Sequence, residues 1–173
     1  MFKIRYNKLS AIQRKLAQDA CYFCIKKFCP RLVDKIQIRV QGIENLLDKE
    51  DVFADCDFED THNRLPREFI IRIDNTLDLY VFLRVLMHEM VHVKQWAKGE
   101  MRQIKAKKIT YKWFQNRIEL DTIDYWDHPW EIEAHGRENG LMYQFFANDE
   151  YWRGFFNDEI EDSEMQRPTQ MVR

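Results

Sequence analysis

Two histidines and a glutamate lie within five residues near the middle of the chain, in the sequence His88-Glu89-Met90-Val91-His92. In a helix, side chains at positions i and i+4 lie on the same face, so both imidazoles can reach one metal ion. Glu89 lies about 100° further round the helix, where its carboxylate can contact a water at the metal without being a ligand. The pattern H-E-x-x-H therefore indicates metal-assisted hydrolysis, although two hydrogen-bonded core histidines would leave the same short pattern by chance.

We predict that this motif lies on one helix from Leu77 to Gly99. Asp74 and Asn75 offer side-chain oxygens for the N-cap, and Gly99 suits the left-handed residue that often ends a helix. The apolar positions leave almost no polar face, which is typical of a buried helix. They are Leu77, Tyr80, Val81, Phe82, Leu83, Val85, Leu86, Met87, Met90, Val91 and Val93. Two imidazoles and a carboxylate in such a helix require partners, because burying them alone is costly.

A catalytic zinc site needs a third protein ligand and keeps its fourth position for water. The metzincin continuation would place Gly at position 95 and His at position 98, where this chain has Gln95 and Lys98. The next candidates lie in the segment 125–135, with the sequence Y-W-D-H-P-W-E-I-E-A-H. Pro129 in that segment suits the first position of a second helix.

The helical wheel separates the two carboxylates of this second helix. At about 100° per residue, Glu131 falls at the centre of the apolar arc, whereas Glu133 falls about 200° away, on the predicted solvated side. A carboxylate in the middle of an apolar face needs a cation or a metal, so Glu131 is the predicted third ligand. The alternative is a buried salt bridge between Glu131 and an arginine such as Arg84. His135 and Glu138 share the face of Glu131 and are predicted to contact the ligands.

A helix with His88-Glu89-x-x-His92, followed by a helix with Glu131-x-x-Ala134, resembles the gluzincin metallopeptidases. In that family the third ligand is the Glu of an E-x-x-[A/S]-[D/N] motif. With its small preceding α/β segment, the chain is similar to a minimal gluzincin of the kind found among SprT-like and phage-encoded H-E-x-x-H proteins. This chain has His135 where Asp or Asn is usual. His135 could therefore orient a ligand, contact substrate or replace Glu131 on the metal.

The resemblance implies a zinc metallopeptidase that hydrolyses peptide bonds in a protein or peptide substrate. Zn²⁺ held by His88, His92 and Glu131 would lower the pKa of a water and polarise the scissile carbonyl. Glu89 would take the proton from that water and pass it to the leaving amine.

The resemblance also implies a hydrogen-bond donor for the developing oxyanion and a strand that holds the substrate. Tyr125, His128 and His135 are the candidate donors. In gluzincins the substrate lies extended along an edge strand, and we expect the strand at 69–73 to have that role.

The pattern along the chain predicts an α+β fold, a zincin-like minimal domain over residues 1–156. It comprises an N-terminal helix, a small and mostly antiparallel sheet, the buried H-E-x-x-H helix and a second ligand-bearing helix. Ser10 and Gln13 form a capping-box pattern at the start of the first helix, which is predicted to stop at Pro30. Strands are predicted at 2–6, 36–40, 52–58 and 69–73. The acidic segment 157–173 is predicted to be a flexible tail.

Composition limits the compartment and the partners. The chain has 27 Lys and Arg and 29 Asp and Glu, so it has no general polyanion-binding character. No run approaches membrane-spanning length and the start is not a secretory signal, so we expect no membrane partner and a cytoplasmic location, or the virion if the chain is phage-encoded. Cys21, Cys24, Cys29 and Cys56 are predicted to be buried thiols and not a three-cysteine metal site, because their spacing matches no strong metal motif.

A basic stretch with aromatic residues follows the predicted H-E-x-x-H helix. Its residues are Lys98, Arg102, Lys105, Lys107, Lys108, Tyr111, Lys112, Trp113 and Phe114. A solvated edge strand protected by lysines is the favoured interpretation, but Lys105 to Lys112 could also contact nucleic acid. Two other function classes are therefore compatible with the sequence. One is a nucleic-acid-associated SprT-like protein, and the other is a structural or virion protein that keeps a vestigial metal site.

Overall fold

The computed structural model describes residues 2–60, 65–104 and 108–148 of the 173-residue chain. Within those residues the chain is a mixed α+β structure, as predicted. The helices and strands are β1 (Lys3–Asn7), α1 (Ala11–Phe28), β2 (Gln37–Ile43), α2 (Leu46–Glu50), β3 (Ala54–Phe58), β4 (Glu68–Asp74), α3 (Leu79–Lys98), β5 (Met101–Ile104), β6 (Thr110–Trp113), β7 (Asn116–Glu119) and α4 (Pro129–Phe146). The predicted tail at 157–173 and the predicted domain end at residue 156 lie outside the described residues.

Strands β1 to β4 form a four-stranded sheet in the order β1-β2-β4-β3. The pairs β1–β2 and β2–β4 are parallel, and β3 runs antiparallel to β4. The prediction of a mostly antiparallel sheet is wrong here, because α1 carries the chain back before β2 begins. A crossover of that length joins parallel strands, whereas a tight hairpin would have joined antiparallel ones.

The strand at 69–73, expected at an edge, lies inside the sheet as part of β4. It pairs with β2 on one side and β3 on the other, so its prediction as the substrate-binding edge is wrong. The residues Phe69, Ile71 and Ile73 are buried, which is the pattern of a central strand that packs on a core. The edges of this sheet are β1 and β3.

Helix α3 lies in the hydrophobic core and contacts β3, β4, α1 and α4. Alternate residues of β2 and β4 face the same core. They are Ile38, Val40, Phe69, Ile71 and Ile73. Each fully buried side chain of this size contributes roughly 1.5–3 kcal/mol to the free energy of folding. This packing therefore stabilises the position of α3 on the sheet. Among the described helices, none combines the length and apolar character that crossing a bilayer would require.

The ends of α3 are set by Asp78 and Gly99. The Asp78 side chain accepts hydrogen bonds from two backbone N–H groups of the first turn, and Gly99 ends the helix with a φ of 69°. The N-cap prediction is wrong, because Asp74 is the last residue of β4 and Asn75 lies in the turn that follows it. Asp74 is buried there and accepts hydrogen bonds within that turn. The C-terminal prediction at Gly99 is confirmed.

The N-terminal predictions agree with the structure. Ser10 and Gln13 form the capping box that begins α1, and α1 ends at Phe28, just before Pro30. The four predicted strands correspond to β1, β2, β3 and β4 within a few residues.

The basic stretch enters a second, three-stranded antiparallel sheet in the order β5-β6-β7. The favoured prediction of a solvated edge strand is wrong for β6, which pairs on both sides. Lys108 pairs with two acids, lying 2.8 Å from Asp121 and 3.6 Å from Glu119. Lys105 and Lys107, part of the suggested nucleic-acid contact, lie outside the described residues.

Candidate metal centre

Helix α3 places both histidines of the motif on one buried face. His88 and His92 are each less than a tenth exposed, and their rings lie 4.9 Å apart. Their Nε2 atoms are separated by 3.1 Å. The i, i+4 spacing therefore brings both imidazoles to one point, as the sequence indicates.

The first turn of α4 brings a carboxylate to the same point. Glu131 Oε2 lies 3.3 Å from His88 Nε2 and 3.5 Å from His92 Nε2. A tetrahedral zinc ion with bonds of about 2.0–2.2 Å needs ligand atoms about 3.3–3.6 Å apart. The three measured separations are close to that range, so the residues present fit a metal ion.

Glu131 reaches this position because α4 packs against α3. Pro129 begins α4, as predicted, and the buried Trp130 and Ala134 fix its rotation. In the described part of the chain, the ion pairs of Glu131 are with the two histidines, whereas Arg84 Nε lies 3.9 Å from a different carboxylate, on Glu138. The alternative of a Glu131–Arg84 salt bridge is therefore wrong.

His135 and Glu138 lie behind His88, on the side away from Glu131. Glu138 Oε2 is 3.1 Å from His88 Nδ1 and 3.4 Å from His135 Nδ1, and the His135 ring packs 4.4 Å from the His88 ring. These three residues form a second group of donor atoms near enough to share an ion. In that group His88 would use Nδ1, which already faces the Glu138 carboxylate. His135 thus contacts Glu138 and is not one of the three residues His88, His92 and Glu131 that converge.

Gln95 and Glu133 lie on the far side of His92, and the sequence did not single out Gln95. Gln95 Oε1 is 2.8 Å from His92 Nδ1. Glu133, predicted to be solvated, is half-buried and pairs with Lys94 and Arg137. That prediction is wrong because the wheel describes α4 alone, whereas Lys94 on α3 fills the space beside it. The spacing of Gln95, one turn after His92, was the signal that could have identified it.

The metal-free cluster is held together by charge. Burial opposes ionisation of Glu131, but hydrogen bonds from His88, His92 and the Tyr125 hydroxyl hold its pKa well below the usual range. Burial also works against the charged form of His88, yet Glu131 and Glu138 raise its pKa to about 9. The pKa of His92 is raised as well, against burial, by Glu131 and the neighbouring Glu89 carboxylate. A proton thus occupies His88 at neutral pH unless an ion replaces it.

Glu89 is buried beside the cluster without belonging to the converging group. Burial raises the pKa of its carboxyl, and the charges of His92 and His88 partly offset that rise. Its position one residue after His88 matches a group that acts on a neighbouring water and not on the ion itself.

The candidate oxyanion donors occupy different places around Glu131. The Tyr125 hydroxyl donates to Glu131 Oε2 at 2.9 Å, so it already lies beside the converging atoms. His128 is buried and stacks on Trp130 with a ring distance of 4.7 Å. His135 is covered on one side by the exposed Trp126, at 5.1 Å.

The four cysteines lie elsewhere. Cys21, Cys24 and Cys29 are buried, Cys56 is partly buried, and all four are free thiols. In the described residues, the groups of donor atoms that could hold an ion contain no cysteine. The prediction of buried thiols is confirmed for the three residues of α1 and its end.

The chain matches no protein-family model, no curated protein and no solved structure.

Proposed function

We propose that this protein is a zinc-dependent metallopeptidase of the gluzincin kind, with a protein or peptide as substrate. The observation that carries the proposal is the convergence of His88 Nε2, His92 Nε2 and Glu131 Oε2, at separations of 3.1, 3.3 and 3.5 Å. Two imidazoles and one carboxylate are a donor set of catalytic zinc sites, which leave one position for water. The buried Glu89 carboxylate lies next to this set.

A bound zinc ion would lower the pKa of a water and polarise the scissile carbonyl. The residues of the chain would hold the ion and transfer the proton. His88 and His92 present their Nε2 lone pairs, because Glu138 and Gln95 accept hydrogen bonds from the Nδ1 atoms. Glu89 takes the proton from the attacking water and passes it to the leaving amine.

Tyr125 and His135 have separate roles in this proposal. The Tyr125 hydroxyl, 2.9 Å from Glu131 Oε2, is close enough to donate instead to the developing oxyanion. His135 Nδ1 faces Glu138 at 3.4 Å, so it acts by positioning Glu138 against His88.

The substrate peptide is proposed to lie along β3 and not along β4. Among the described strands, β3 has a pairing partner on one side only, and it also contacts α3. An extended peptide can add to such an edge through backbone hydrogen bonds. This placement would bring the scissile bond beside the helix that carries Glu89.

Metal analysis and hydrolysis of a peptide library test the proposal together. The purified protein is expected to hold about one zinc per chain and to cleave peptides. Glu89→Gln should keep the zinc and lower kcat/KM by at least about 100-fold, because a positioned general base typically contributes 10²–10⁴-fold.

The matched control is Glu44→Gln, since Glu44 is an exposed glutamate in the turn between β2 and α2. It should leave both zinc content and kcat/KM unchanged. Absence of any bound transition metal after reconstitution would refute the metal site. Zinc binding without cleavage of any peptide would refute the peptidase and favour a structural protein with a vestigial site.

A further inference from the structure

His92 has a hydrogen-bond partner on the ring nitrogen that faces away from Glu131. Gln95 Oε1 lies 2.8 Å from His92 Nδ1, and the Gln95 side chain is 0% exposed. Burying a side-chain amide costs free energy unless each of its polar atoms has a hydrogen-bond partner. The partners of Gln95 therefore show what holds it beside His92.

The other contacts of the amide fix its orientation. Gln95 Nε2 lies 2.9 Å from the Trp130 carbonyl oxygen and 3.1 Å from Glu133 Oε2. Both of these oxygens are acceptors, so the NH₂ group of Gln95 must face them and Oε1 must face His92. His92 Nδ1 is therefore the donor of that hydrogen bond. In the neutral imidazole, Nε2 is then left with its lone pair directed toward His88 and Glu131.

Glu133 is held in place as the acceptor for Gln95. Lys94 Nζ lies 2.6 Å from Glu133 Oε1, and Arg137 Nε lies 2.8 Å from the same oxygen. Burial disfavours the charged form of Glu133, but the hydrogen bonds from Lys94 and Gln95 hold its pKa below the usual value. Lys94 is itself buried and also lies 2.6 Å from Glu100, at the start of the small sheet.

We propose that Gln95 is a positioning residue for the metal centre, which sets the tautomer and the ring orientation of His92, and that Glu133 holds Gln95 in that role. The proposal rests on the metal site proposed above but not on peptide hydrolysis. Neither residue belongs to the converging donor atoms. Their effect on the metal is therefore transmitted through one hydrogen bond to His92.

The test measures zinc affinity, by competition with a chelator, in Gln95→Met and in a matched control. Methionine conserves the volume of the side chain but accepts no strong hydrogen bond. The control is Gln13→Met, because Gln13 is also buried, accepts from the Ser10 N–H at 3.0 Å and donates to the Asn75 carbonyl at 2.9 Å. Gln13 lies on α1, in the capping box and away from the converging atoms.

Gln95→Met is expected to weaken zinc binding about 10–100-fold, the usual effect of losing a partner behind a ligating histidine. Gln13→Met should lower thermal stability similarly but change zinc affinity by less than about threefold, well below that effect. Zinc binding by Gln95→Met within about threefold of wild type would overturn the proposal. Equal losses in both variants would overturn it too, because they would show a general loss of stability. A wild-type protein without zinc would instead refute the metal site itself.

A second readout and a rescue separate positioning from packing. NMR of the zinc-loaded wild-type protein should show a His92 Nδ1 proton that is protected from exchange, and this signal should be lost in Gln95→Met. In the double variant Gln95→Glu/Glu133→Gln, the carboxylate at position 95 still accepts from His92, and the amide at position 133 donates to that carboxylate, although the Trp130 carbonyl loses its donor. Zinc affinity in this double variant should exceed that of Gln95→Met. Affinity no better than that of Gln95→Met would count against the assigned hydrogen bond.

If Gln95→Met fails to fold, Glu133→Gln provides the test. It keeps the shape of the side chain but removes the charge that holds the Gln95 amide. Zinc affinity should fall by at least about threefold, a part of the 10–100-fold effect typical of such partners. An unchanged affinity would overturn the role of Glu133 and with it the proposal.

Discussion

Each histidine of the candidate metal centre has one ring nitrogen facing the converging point and the other facing an acceptor. For His88 that acceptor is the Glu138 carboxylate, and for His92 it is the Gln95 amide. A charged and a neutral acceptor make the two imidazoles unequal, since a carboxylate raises the basicity of its partner more strongly. Protonation of His88 therefore affects the stability of the metal-free protein.

Stability of the metal-free protein should depend on pH through His88. Its pKa is raised in the folded state from the ordinary 6.5 to about 9. The resulting stabilisation is fully present below about pH 6.5 and is lost as pH rises through about 9, and its upper limit is about 3 kcal/mol. Glu131, whose pKa is lowered, adds stabilisation that is lost only as pH falls below its usual value near 4.5.

Chemical unfolding of chelator-treated protein at about pH 6, 7.5 and 9 measures this dependence. The unfolding midpoint should fall across that range, and Glu131→Gln should flatten the fall by removing the charge beside His88. With saturating zinc the fall should disappear, because the ion replaces the proton and binds more tightly at high pH. An unchanged midpoint in the chelated protein would contradict the raised pKa.

At the scale of elements, the candidate metal site lies at a contact between α3 and α4. Two ligands come from α3 and one from α4, and the helices also pack directly. Glu131 is the α4 member of the converging group His88, His92 and Glu131. Its removal should therefore show how much metal binding depends on coordination, apart from helix packing.

Glu131→Ala should lower zinc affinity by far more than the 10–100-fold expected for a partner behind a ligand, because it removes the carboxylate of the site. Asn139→Ala truncates an exposed polar side chain of the same helix, and it should leave zinc affinity unchanged and stability within about 0.5 kcal/mol. Isothermal titration of both variants with zinc decides the assignment. Tight zinc binding by Glu131→Ala would transfer the third-ligand role to another residue.

The sequence predicted the features that depend on the residues of a single helix or strand. The meeting of His88 and His92 follows from the helical repeat, and the inward position of Glu131 follows from the apolar arc of α4. The position of Glu133 depends on Lys94 of another helix, which a wheel of one helix cannot include. The central position of β4 was not predicted either, because hydrophobic alternation marks a strand but not its neighbours in the sheet.

At the scale of the whole molecule, zinc should stabilise the fold. A ligand that binds only the folded state adds about 2.7 kcal/mol when its concentration is 100 times its Kd. Thermal unfolding with chelator and with graded zinc should therefore show a melting temperature that rises with zinc in the wild type. Glu131→Ala should show little rise, and Asn139→Ala should show the same rise as the wild type. A melting temperature independent of zinc would mean that the ion does not bind the folded site.

Within the described residues, β3 has one edge without a pairing strand, and this edge has a consequence for self-association. An edge that can accept a substrate peptide can also accept a strand from another copy of the protein, which leads to aggregation. Two features of β3 oppose this: it is only five residues long, and it has Asp55 and Asp57 in its sequence. Two copies placed edge to edge would bring their Asp57 carboxylates near each other, and this repulsion disfavours the pairing, whereas the charge of Asp55 is balanced by its ion pair with Arg72. A cationic peptide meets no such repulsion, so the charges that keep copies apart would also favour basic segments at this edge.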